Sequence, residues 1–235
     1  MTAFKRTFLF YFPILVLFFS CSAGINGVVM EGGAAEISVK TALGPRTLGL
    51  IRSIKGFMGD SSGGQILNGE SISRSMEAAP GIRSAFLKNT SSEALEGTIS
   101  ISHVGDFLSS DDSKFITFSE GERNSSIVAV LDRNTAPLLI SKFPPEVEEY
   151  LSALMAPVVL GERISRQEYL SLVAMVYGRP LADEIAAASI KALIEFPRPP
   201  KSVQGGKIVG KQAEFVVPLL DLLVLDQPLR YEVEW

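Results

Sequence analysis

The chain has 235 residues, with 26 acidic and 22 basic side chains, one histidine and one cysteine. That inventory excludes an intrachain disulfide and a cysteine–histidine zinc set, and the acidic balance disfavours a nucleic-acid partner. A hydrophobic content of 46% supplies an ordinary core at this length, enough for one substantial domain or two small ones.

The first element is a leader. Lys5 and Arg6 precede an apolar run, Thr7–Phe19, interrupted by Pro13, and the small residue Ser20 stands before Cys21. A positive start, an apolar stretch and a small residue at the cleavage site mark an export signal. As a helix the run spans roughly 20 Å, short of the roughly 30 Å hydrocarbon core, so it is too short for a permanent anchor. The segment Leu17-Phe18-Phe19-Ser20-Cys21 resembles a bacterial lipobox. Phe18 and Phe19 stand where leucine and a small residue are usual, a loosened form similar to that of spirochaetal lipoproteins. The resemblance implies that Cys21 is diacylated and becomes the new N-terminus, anchored stably because two or three acyl chains hold where one does not. The alternative is ordinary secretion with cleavage after Ala23. Removing residues 1–20 takes away Lys5 and Arg6, so 20 basic side chains face 26 acidic ones, a net charge of −6. That charge disfavours anionic headgroups as general partners.

Gly24–Gly33 is small and weakly patterned, and reads as a tether followed by a turn. Ala35–Thr41 alternates as a half-buried strand does. Pro45 suits the first turn of a helix whose stripe is Leu48, Ile51, Ile54 and Met58. Gly59–Gly69 reads as a loop and Ser71–Ala78 as a short helix. Ile82–Lys88 and Leu95–Val104 read as neighbouring strands, with Ile99, Ile101 and His103 on one face of the second. Lys114–Ser119 and Ser126–Asp132 continue the strand series.

Helices follow. Pro144-Pro145 opens Glu146–Met155, with Val147, Tyr150, Leu151 and Leu154 on one side. Ser165 and Glu168 form a capping box for the next helix, which Gly178 stops. Pro180–Ala188 adds a short helix. Ser189–Phe196 and Lys207–Val217 return to strand, Pro218–Leu225 is a short helix or a buried run, and Leu229–Trp235 alternates as a closing strand. Strands, then helices, then strands predict an α+β fold, a mostly antiparallel sheet with helices packed on one face. The domain organisation expected is a signal peptide at 1–20, a lipidated tether at 21–33 and a single α+β domain at 34–235.

Ser189-Ile190 to Phe196-Pro197, then Gly205-Gly206-Lys207-Ile208-Val209-Gly210, then a strand ending at Trp235 is similar to the end of LppM-type envelope lipoprotein domains. There a strand runs into a Phe-Pro turn, a glycine hairpin follows, and a last strand ends near tryptophan. The resemblance covers about the last 50 residues and carries over no catalytic residue. It implies an α+β envelope domain that contacts lipids or glycolipids.

Several chemistries fail on spacing. Gly59-Asp60-Ser61-Ser62-Gly63 fits the serine-hydrolase turn, but a helical stripe precedes it and Ser/Gly residues follow, where a strand and a helix are needed. Its base would have to be His103, whose neighbours Ile99 and Ile101 predict an imidazole packed on an apolar sheet face. Gly205 to Gly210-Lys211 nearly writes a phosphate loop, yet Gln212 replaces the magnesium-binding Ser or Thr and strand follows instead of helix. Asp111-Asp112 and Glu146, Glu148, Glu149 lack calcium-loop spacing. Pro197-Arg198-Pro199-Pro200-Lys201 is extended, basic and proline-rich and reads as a stiff connector, with a segment that a partner binds as the alternative. Tyr231-x-Val233-x-Trp235 resembles a barrel-closing signal, but the central helices leave too few strands for a barrel.

The expectation is therefore a non-catalytic, membrane-anchored envelope lipoprotein, without cofactor or metal, that binds lipid or a protein partner. Its place would be the outer rather than the inner membrane, on the periplasmic or surface face. The rivals are an envelope serine hydrolase using Ser61 and His103, and a surface-exposed adhesin.

Overall fold

Alternating apolar and polar residues build most of the strands. The computed structural model, which describes residues 22–57, 68–77, 80–109, 115–121, 124–140 and 151–235, arranges them in two sheets. The larger contains β1 (Ser22–Val29), β2 (Ala35–Ala42), β3 (Ile82–Asn89), β4 (Ala94–Ile101), β7 (Ser189–Glu195), β9 (Gly206–Val209) and β10 (Gln212–Pro218) in the order β3-β4-β2-β1-β7-β10-β9. The smaller contains β5 (Ile116–Ser119), β6 (Ser126–Leu131), β8 (Ser202–Gln204) and β11 (Leu229–Glu234) in the order β5-β6-β11-β8. Every pairing is antiparallel except that of β1 with β7. The described helices are α1 (Pro45–Phe57), α2 (Gly69–Glu77), α3 (Val104–Ser109), α4 (Thr135–Ile140), α5 (Ala156–Val159), α6 (Arg166–Tyr177), α7 (Arg179–Ala187) and α8 (Leu219–Val224). The fold is α+β, with helices packed alongside antiparallel sheets.

The tether expected at 21–33 is corrected by β1. Ser22–Val29 is the central strand of the larger sheet, bonded to β2 on one side and β7 on the other. Gly24 and Gly27 hide it in sequence, because glycine is a poor strand former. They are tolerated because both strand edges are hydrogen-bonded and Gly27 sits against Ile194, whose side chain would lie 3.5 Å from an added Cβ.

Period-two patterning then sorts the sheet's faces. Ala23, Val29, Ala35, Val39, Ile99, Ile190 and Phe215 point inward and are buried, whereas Asn26, Ser38, Lys40 and Thr98 point outward and are exposed. Gly97 permits the closest approach within the sheet. A Cβ there would fall 1.9 Å from the Phe86 carbonyl oxygen, so any side chain would force β3 and β4 apart. A register shift between Ile82 and Ser84 lies on the same pair.

Aromatic packing joins the two sheets. Trp235 lies 4.5 Å from Phe196 and 6.2 Å from Phe118 between ring centres, and Phe215 of β10 meets Tyr231 of β11 edge to face at 5.9 Å. The main chain of Trp235 exchanges two 3.0 Å hydrogen bonds with Ser125. Pro197–Lys201 connects β7 to β8 across this junction, and the Lys201 amide donates to Glu234 O at 2.7 Å. Among the described residues, no helix is long and apolar enough to cross a membrane.

Candidate apolar groove

One end of the larger sheet carries most of the helices. At that end Ser22 of β1 pairs with Ala42 of β2 and with Ser189 of β7, and Ser189 pairs with Pro218 of β10. The chain leaves β2 there into α1, enters β7 there from α7, and leaves β10 there into α8. The Leu219 amide donates to Ala188 O at 3.0 Å and locks the last two junctions together.

Polar contacts set the positions of these helices. Helix α1 has no acidic residue in its first turn, so its amides look elsewhere for acceptors. Glu184 of α7 answers: its carboxylate accepts from the amides of Arg46 at 3.1 Å and Thr47 at 2.8 Å, and from the Thr47 hydroxyl at 2.7 Å. The charge sits at the positive end of the helix dipole, which favours it. Helix α6 begins with the predicted capping box. Ser165 Oγ accepts the Glu168 amide at 3.2 Å while Glu168 accepts the Ser165 amide at 2.7 Å, and these bonds hold the Glu168 carboxyl below its ordinary range. Gly178 ends the helix at φ 90°, a left-handed conformation that suits glycine.

Two further contacts fix α6 against its neighbours. Arg166 Nε lies 2.8 Å from Asp221 Oδ1 of α8. The approach is close, but the angle leaves that buried oxygen without a well-formed hydrogen bond. Burial raises the Asp221 carboxyl above its ordinary range and Arg166 opposes the rise only in part. The Tyr169 hydroxyl donates to Leu154 O at 2.8 Å, and burial, then the neighbouring Tyr177, push its ionisation upward. Arg133 secures the opposite wall, donating to Val224 O at 3.2 Å, to Pro157 O at 2.9 Å and to Glu162 O.

These helices leave a groove between them of about 300 Å³, lined chiefly by Leu154, Leu172, Val173, Val176, Leu181 and Ile185. Its titratable lining groups are Glu162, Tyr169 and Tyr177. The floor is closed, since Val173, Leu181 and Ile185 are buried, while the rim is open. Val176 is 68% exposed and Met175 81%, with Leu160, Leu172 and Tyr177 also uncovered. Scattered apolar residues on a surface are ordinary, but Leu172, Met175 and Val176 fall within about 100° of one another around α6 and make one uncovered apolar strip beside the groove.

The residues singled out in sequence fall elsewhere. Cys21 and Ser61 lie outside the described residues, as do Asp111-Asp112 and Glu146, Glu148 and Glu149. His103 departs from its expected place, because β4 ends at Ile101 and the histidine stands in the turn before α3. Its Nδ1 accepts the Asp106 amide at 3.3 Å, capping α3. Nε2 lies 3.5 Å from Glu120, and the ring meets Phe118 edge to face. Beside it, at the end of the sheet opposite Ser22, a smaller cleft of about 270 Å³ is lined by Met30, Glu31, Glu120, Arg198 and Trp235 among others. Among the described residues, no cluster of three His, Cys, Asp or Glu is placed to hold a metal ion. Lys207 and Lys211 stand exposed on the β9–β10 hairpin, where Gln212 begins a strand, so the phosphate cradle is absent from that hairpin.

The groove itself escaped the sequence reading. The one available signal was Leu172, Met175 and Val176 continuing the apolar pattern of α6 beyond the buried pair Tyr169 and Val173.

The chain matches no protein family model and no curated protein. Among solved structures, it shows a weak likeness to the NMR structure of the folded domain of the LppM protein of Mycobacterium tuberculosis. That likeness has a TM-score of 0.42 and 6% sequence identity, over 91% of this chain and 87% of that one. It is partial, assigns no residue a role, and is not specifically spirochaetal.

Proposed function

We propose that this chain is a membrane-anchored envelope lipoprotein, acylated at Cys21, whose helical groove binds a single acyl chain without chemical conversion. The observation that carries the reading is the groove of about 300 Å³ with a buried apolar floor and an open apolar rim. That volume sits at the lower end of the roughly 300–1,000 Å³ of small-molecule sites, which suits one chain better than a whole diacyl lipid. Each methylene buried would contribute about 0.8 kcal/mol, so about ten of them approach the roughly 8 kcal/mol of micromolar affinity before ordering costs.

Binding without catalysis is supported by the lining. Of its three titratable groups, the Tyr169 hydroxyl is already committed to a main-chain carbonyl. Glu162 and Tyr177 do not supply a nucleophile with a base and an oxyanion site. The envelope location rests on the leader and its cysteine. The reading favours lipid over a protein partner, because the groove is narrow and floored by aliphatic side chains.

The test is mass spectrometry of lipid extracted from the purified full-length protein, beside the double variant Leu172→Asp and Val176→Asp. Wild type is expected to carry acyl lipid that the variant loses while keeping its fold. Equal lipid in both, or none in wild type, would end the groove reading. A proteolytic digest of the same protein reports acylation as added mass on the peptide that begins at Cys21.

A further inference from the structure

We infer that the exposed face of α6, with Leu160 beside it, docks on the bilayer that holds Cys21, so that the groove opens directly into the acyl-chain region of that membrane. This rests on the anchored reading above and adds an orientation to it.

Almost no chain separates the anchor from the fold. Cys21 is followed immediately by Ser22, the first residue of β1. Adjacent Cα atoms are about 3.8 Å apart, so an acylated Cys21 leaves no flexible linker. Strand β1 is also held inside its sheet, bonded along its length to β2 and β7. Anchorage therefore brings one end of the domain against the membrane surface. That end is the Ser22 end, where α1 starts, α7 finishes and α8 starts.

The groove belongs to the same end. Its floor residue Ile185 lies one helical turn before Ala188, which precedes Ser189, the partner of Ser22. Leu50, in the second turn of α1, lines it from the other side, and α1 itself starts three residues beyond the Ala42–Ser22 pair. Helix α6 packs on α7 and carries the exposed Leu172, Met175 and Val176 within one arc of about 100°, with Tyr177 exposed at its C-terminal end on the groove side. The opposite end of the sheet presents the polar His103 cleft and the Lys207–Lys211 hairpin instead.

Charge indicates how the face would engage. The cations that flank α6 and its ends in sequence, Arg163, Arg166 and Arg179, are matched in number by Glu162, Glu168 and Asp183. Attraction to anionic headgroups does not account for docking on such a surface. Apolar insertion does, and it is indifferent to salt. Tyr177, amphipathic and half-exposed at the end of α6, suits the headgroup level.

The experiment uses the absence of any other thiol. Once Cys21 is acylated the wild-type chain has no free thiol, so Met175→Cys in the full-length protein provides a unique labelling site at an exposed position. Lys211→Cys, on the hairpin at the far end of β7, is the control. Each is labelled with an environment-sensitive fluorophore and reconstituted in phosphatidylcholine vesicles containing nitroxide lipids. The label at 175 is expected to emit to the blue of the label at 211 and to be quenched by the nitroxide lipids. Both effects should persist in about 1 M salt, where the Debye length falls to about 3 Å. A label at 175 as water-exposed as that at 211 would overturn the docking, as would loss of the signal in salt. Shielding from lipid and water alike, with 175-to-175 cross-links, would assign the face to a second copy and also overturn it. Labelling of the wild-type chain would instead show a free Cys21 thiol, which sinks the anchor reading separately.

Discussion

Val173 and Val176 stand three residues apart on α6, at 8% and 68% exposure, and alanine at each tests whether the groove is open. The substitution removes the same two carbon groups from both side chains. At Val173 they are buried, so about 1.6 kcal/mol of transfer free energy is lost, and a residual cavity brings the loss to about 2 kcal/mol. At Val176 only about a third of the side chain is covered, which scales the loss to about 0.5 kcal/mol. Both variants regain about 0.5 kcal/mol of helix propensity, since valine's branched side chain is restricted in a helix. Val176→Ala is therefore expected to be close to neutral and Val173→Ala to destabilise by about 1.5 kcal/mol. In a chain of this size that is a drop in Tm of about 3–6 °C for Val173→Ala against less than about 1 °C for Val176→Ala. Guanidinium unfolding followed by far-ultraviolet circular dichroism measures both, and the denaturant slope should be unchanged. Equal losses at the two positions would mean that Val176 is packed, and the open groove would be refuted.

Three other substitutions probe the frame that holds the groove. Arg166→Ala removes the cation facing Asp221, whose side chain is 13% exposed, and is expected to destabilise by about 1–2 kcal/mol at neutral pH, discounted because the arginine is itself largely solvated. The Asp221 carboxyl already lies above its ordinary range when folded, so its ionisation costs stability progressively as pH rises past the unfolded value and in full above the folded one, and losing Arg166 raises the folded value further. The deficit should therefore be full at about pH 7 and shrink by about pH 3, where both states are protonated; a deficit independent of pH would refute the assignment. Glu184→Ala strips the acceptor from the start of α1 and should cost about 2 kcal/mol, with faster amide exchange at Arg46 and Thr47 as the direct check. Ser165→Ala should cost about 1 kcal/mol by opening the capping box. Glu168 is held below its ordinary range, so its contribution is present above the unfolded value and lost as pH falls through the folded one. Stability measured against pH should show that loss in wild type and a weaker one in the variant.

Short-range chemistry was readable from the chain alone. The Ser165–Glu168 box, the stop at Gly178, the alternation of β2 and β11 and the glycine hairpin near Gly210 depend on residues a few positions apart. Those signals also carried the α+β class. Strand β1 was missed because glycines dilute its pattern and its parallel partner begins 167 residues later, at Ser189. Parallel pairing leaves no local turn to announce it.

His103 was misplaced by a strand read three residues too long, since nothing in its own sequence neighbourhood reveals that α3 begins at Val104. Glu184 caps a helix from a distance of 137 residues, and no spacing rule reaches that far. The groove is the clearest case. Leu172, Val173 and Val176 have equal claims to burial as amino acids, and the helical period places all three toward one side of α6. Which of them is covered depends on how far Leu181 and Ile185 of α7 and the wall held by Arg133 reach across the helix. Hydrophobicity sets what a side chain gains by leaving water, whereas three-dimensional packing sets whether a partner is there to receive it.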